Sequence, residues 1–179
     1  MSILRLLSLA VMVGLSGPAC SAGMAERQPL QTVNAVDLER YAGTWYEIAR
    51  YPNRFQRDCA GDVTALYEVK PDGSVRVTNS CAEADGSTKS ARASAKVVDR
   101  ETNAKLKVTF FWPFSGDYWI INLGPNYEYA VVGEPGRDYL WILSRTPQMD
   151  EATYNVLLER IARQGYDPSR LVKTAQSAR

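Results

Sequence analysis

Between residues 44 and 146 the chain carries eight strand-like runs and no segment of helical length and period, a pattern that limits its folds more than any other feature. The runs are 44–51, 62–69, 74–81, 91–98, 105–112, 117–123, 127–133 and 139–146. Turn signals divide them, the clearest being KPDG (70–73), GPN (124–126) and EPGRD (134–138). Parallel neighbours need long crossover connections, usually helical, and none is present. Consecutive strands therefore pair antiparallel, and eight of them lose their free edges most economically by closing into an up-and-down barrel. The expected class is all-β, an eight-stranded antiparallel barrel.

One helix follows the last run. Asp150 is suited to cap it, Glu151 favours its first turn, and Tyr154, Leu157, Leu158, Ile161 and Ala162 recur at helical spacing until Gly165. Its single apolar stripe needs cover, and the outer wall of the barrel is the surface available.

Strand alternation describes the interior. In ARASAKVV, Arg92, Ser94 and Lys96 share one face and Ala91, Ala93, Ala95 and Val97 the other. In AKLKVTFFW the inward set is Leu106, Val108, Phe110 and Trp112, and in VTALYEV it is Val63, Ala65, Tyr67 and Val69. A barrel of eight strands is either filled by side chains or holds one small ligand. An alanine wall facing aromatics favours the cavity; a solid core of aromatics packed over the alanines is the alternative.

The leading 19 residues hold one Arg, no acid and the apolar run ILRLLSLAVMVGL, too short to span a bilayer with ease and suited to a signal-peptide core. Without that leader, basic and acidic side chains balance, so charge recruits no nucleic acid. Cys20 follows LSGPA, where a lipoprotein signal places the thiol that becomes lipidated; the alternative is cleavage further on, after CSA or GMA. Lipidation leaves Cys59 and Cys81 as an even pair, able to form one disulfide in an oxidising compartment. Residues 20–35 read as a tether, 36–172 as the barrel with its helix, and 173–179 as a C-terminal tail.

Three segments, GTWYEIARY (43–51), YEYAVVG (127–133) and DYLWILSRTP (138–147), resemble in order and spacing the conserved regions of the lipocalins, the last being similar to the bacterial outer-membrane branch. The resemblance implies a cup closed at one end. There Gly43, Trp45 and Arg145 hold the fold, Arg145 lying across the indole. It also implies an open mouth ringed by loops 52–61, 82–90, 112–117 and 134–138, which brings Cys59 near Cys81. The function implied is binding of a fatty acid or lysophospholipid by a monomer or homodimer, anchored to the outer membrane and facing the periplasm. Trp112 and Phe114 then belong at the mouth, Tyr118, Tyr139 and Trp141 further in, and an acyl chain along Ala93, Ala95, Val108 and Phe110, with Ala65 and Tyr67 also in the wall.

The chain contains no histidine, which removes Ser-His and Cys-His nucleophile pairs, His-ligated haem and most zinc sites. No catalytic residue, cofactor or metal is expected. The remaining enzyme alternative is an unpaired Cys59 or Cys81 acting as a thiolate, and a third is an envelope interaction protein whose cavity is incidental. Glu47 shares strand parity with Trp45 and Ala49, so it is expected to face inward. There it either bonds Tyr67 or Tyr118, or meets the ligand's head group together with Tyr118, or is turned outward by a bulge.

Overall fold

The structure, a computed structural model, describes residues 28–177. The leader and Cys20 lie outside the described residues. Strands β1 (Gly43–Arg50), β2 (Cys59–Val69), β3 (Val75–Glu83), β4 (Thr88–Val97), β5 (Lys105–Phe111), β6 (Phe114–Leu123), β7 (Tyr129–Gly133) and β8 (Leu140–Ser144) pair antiparallel in chain order. β1 closes the barrel, pairing with β2 from Gly43↔Tyr67 to Tyr46↔Thr64 and with β8 from Tyr46↔Ser144 to Arg50↔Trp141. The expected architecture is thus observed, with β2 starting at Cys59 rather than 62.

Side-chain alternation divides the apolar residues into two cores. Inside the barrel, Trp45, Tyr67, Val77, Leu106, Ile120 and Leu143 are buried together. Outside it, Ile142, Leu140, Val131 and Ile121 project from the opposite strand faces against Tyr154, Leu157 and Ile161 of helix α1 (Glu151–Arg163). The helix starts where Asp150 accepts the Thr153 N–H at 2.8 Å and ends in paired bonds from Gly165 and Tyr166 to the carbonyls of Ala162 and Ile161.

A four-residue helical turn, Leu38–Tyr41, crosses the closed end and drops Tyr41 into the barrel. Here Trp45 is fully buried, its indole N–H donating to the Tyr41 carbonyl at 2.8 Å. The Arg145 guanidinium lies 3.9 Å from the indole centroid and donates to the carbonyls of Thr44, Arg40 and Tyr41. Gly43 turns into β1 at φ +94°, a conformation side chains resist, and an added Cβ would sit 3.4 Å from Arg145.

Both ends of the domain extend past the sequence-based boundaries. Residues 28–35, read as tether, are packed: Leu30 joins the outer core, and the Val33 N–H bonds the Ile120 carbonyl. Residues 172–177, read partly as tail, fill a split in the wall. β1 and β2 part beyond Tyr46↔Thr64, and β9 (Val172–Lys173) pairs with β1 at Ala49 and Arg50 instead. Gln176 then donates to the carbonyls of both Glu47 and Val63, bridging the split, while Asp62 N–H bonds the Ala175 carbonyl. Gly61 admits this segment, since a Cβ there would come within 2.9 Å of the Ala175 oxygen.

Candidate functional site: an apolar cup with a polar wall

The upper half of the barrel encloses a cavity of about 590 Å³, within the range of small-molecule sites. Among the residues read from sequence, Ala65, Tyr67, Val108, Phe110, Tyr118 and Trp141 line it, as do Tyr139 and Phe114 nearer the mouth. Their order follows the pleat: Leu106, Val108 and Phe110 climb β5 on the inner face, while Val63, Ala65 and Tyr67 descend β2.

Three residues fall outside the cavity. Ala93 and Ala95 are buried in the filled lower half, because Tyr41, Trp45, Tyr67 and Ile120 occupy the space that four alanine-sized side chains leave open. The solid-core alternative therefore holds at the base and the cavity above it. Trp112 is 89 % exposed at the tip of the β5–β6 hairpin, beyond the last pair Phe111↔Phe114.

The cavity floor carries a tyrosine triad. Tyr118 bonds Tyr41 and Tyr67, each hydroxyl pair at 2.8 Å. Burial pushes all three phenols upward, Tyr67 to about 12 and Tyr41 and Tyr118 well above their ordinary value, so the floor is polar but uncharged.

Glu47 faces the cavity and is buried, but its partners are not the tyrosines expected. Arg50 donates to Oε1 at 2.8 Å, Thr174 donates to the same oxygen and Gln56 to Oε2. A bulge between Glu47 and Ala49 permits this. It places Ala49 opposite Ile142 in the outer core, so Glu47 shares its face with Trp45 but not with Ala49. Gln56 is held in turn by Trp141 Nε1 at 2.9 Å and Asn53 at 2.8 Å. The residues missed from sequence, Gln56, Phe55 and Arg54, belong to a 3-10 turn whose only local signal is Asn53, which accepts the N–H groups of Phe55 and Gln56.

Cys59 and Cys81 form a disulfide at the mouth with Cα atoms 5.6 Å apart. Closing a loop of 22 residues contributes about 3 kcal/mol in the entropic account. Neither sulfur is a free thiolate, which removes the nucleophile on which the enzyme alternative rested. Among the described residues no group of three or more His, Cys, Asp or Glu is placed to hold a metal.

Barrel, outer helix, closed base and apolar cup together define a lipocalin, and residues 36–176 match the family described as "Lipocalin-like domain". The chain belongs to that family. It is 43% identical over 162 residues to "Temperature-induced lipocalin-1" of Arabidopsis thaliana, covering 86% of this chain and 87% of the relative. It is 41% identical over 159 residues to "Outer membrane lipoprotein Blc" of Escherichia coli K12, covering 88% and 89%. In fold it is similar to insecticyanin of the tobacco hornworm Manduca sexta, with TM-score 0.69 and 20% identity over 85% of this chain and 87% of that one. Membership supports binding of a small hydrophobic ligand.

Proposed function

We propose that the protein binds a single-chain lipid, a fatty acid or lysophospholipid, and stores or carries it in the bacterial cell envelope without catalysis. The observation carrying this reading is the cup itself: aliphatic and aromatic walls, an uncharged floor and aromatic side chains at an open mouth. Apolar area removed from water along an acyl chain supplies the affinity, at about 25 cal/mol per Å². Glu47, Ala65, Tyr67, Val108, Phe110, Phe114, Tyr118, Tyr139 and Trp141 are the contacts proposed.

The leader, Cys20 and the name of the Escherichia coli relative support anchoring at the outer membrane, facing the periplasm. Each buried CH₂ of the anchor adds about 0.8 kcal/mol, so lipidated Cys20 holds the protein firmly. Cys20→Ser should release it from the membrane fraction; unchanged fractionation refutes lipidation. Extraction of the purified protein and mass spectrometry of the extract tests the binding reading. A consistent stoichiometric acyl lipid supports it, and an empty cup that also takes up no added lipid overturns it in favour of an interaction protein.

A further inference from the structure

Among the described residues, four charged side chains line the cavity, and they are not equivalent. Each of the three carboxylates is already engaged by the protein. Glu47 is held by Arg50, Thr174 and Gln56, and Asp117 pairs with Lys107 at 2.9 Å. Glu134 accepts the backbone N–H groups of Gly136, Asp138 and Tyr139.

The fourth is Arg54, the lining's one cation among the described residues. Its guanidinium forms no ion pair or hydrogen bond with them and rests 5.2 Å from the Phe55 ring centroid. The side chain is exposed, but the backbone that carries it is held. The turn that carries it is capped by Asn53 and tied to the cavity wall through Gln56, while Phe55 lies 5.8 Å from Tyr139.

Building on the lipid-binding reading, we infer that Arg54 receives the anionic head group of the ligand, a carboxylate or a phosphate, at the mouth while the acyl tail fills the cup. A guanidinium presents paired donors that match either anion. The reverse orientation would bury the anion beside the tyrosine floor, where no cation among the described residues lines the wall, at a large desolvation cost.

The test titrates the full chain, Arg54→Gln and Arg54→Lys with hexadecanoic acid, hexadecanol and lysophosphatidic acid of the same chain length. Arg54→Gln should weaken an anionic probe by about three- to tenfold, leave hexadecanol within about twofold, and lose that difference at high salt. Arg54→Lys should recover part of the loss. Weakening confined to the acid or to the phosphate supports the inference and identifies the anion. Equal weakening of all three probes, or of none, overturns it while the lipid-binding reading stands. Failure of the parent protein to bind any of the three defeats both.

Discussion

Glu47, which lines the cavity, meets Arg50 behind it at 2.8 Å, their side chains 3% and 15% exposed. Replacing Glu47 by Gln leaves the Arg50 charge buried without its counter-ion, and such losses cost about 3 kcal/mol or more. Urea unfolding should show a lower midpoint at unchanged slope for Glu47→Gln, and a loss in Glu47→Gln/Arg50→Gln smaller than the sum of the two singles. Ending the chain at Leu171 should also destabilise it, since Thr174 and Gln176 no longer hold Glu47 and the split wall. Parental stability in Glu47→Gln would show that the pair contributes nothing.

The base is predicted to matter for folding more than for binding. Trp45→Ala removes a fully buried ring and should cost about 3–5 kcal/mol. Arg145→Ala removes the stacking cation and its bonds to the backbone carbonyls of Arg40, Tyr41, Thr44 and Tyr127 below the cavity floor. Stability and lipid affinity, measured on both variants, should separate, with affinity per folded molecule nearly unchanged. A well-folded Trp45→Ala that has lost its ligand would make Trp45 a binding residue.

Local and distant residues divide the setting of Glu47 between them. Strand periodicity placed the residue on the inner face, and turn chemistry placed the strands around it, because both are local. Its partners are not local: Thr174 is 127 residues away, and Gln56 sits in a non-periodic turn. The bulge at Ile48 also has no signature in the residues around it. Ala93 and Ala95 lie below the cavity for a related reason, since the ring that fills the space before them comes from Tyr41, on a helical turn too short to show a period. The closing segment at 172–177 is short and half exposed, so neither hydropathy nor spacing marks it.

Alkaline pH should destabilise the fold through the tyrosine floor, whose phenols burial keeps neutral above their ordinary range. A phenol whose folded value is raised stays neutral while the unfolded chain ionises. Its stabilisation is therefore complete below about pH 10 and declines as the pH rises toward the folded value, about 12 for Tyr67. Between those limits the parent should lose on the order of 2 kcal/mol more than Tyr67→Phe, which lacks the group. Unfolding curves at both pH values, with tyrosinate absorbance recorded in parallel, check this; equal losses in the two proteins would mean that Tyr67 ionises freely in the folded state.

The most direct measurement fills the cup. Val108 lines the cavity from the middle of β5, and Val108→Trp should occupy its volume at a stability cost of about 1–3 kcal/mol. Calorimetric titration with hexadecanoic acid should give one bound lipid per parent chain and at least tenfold weaker binding to the folded variant, a loss of about 1.4 kcal/mol or more. Equal affinity in the two proteins would put the ligand outside the barrel and contradict the account.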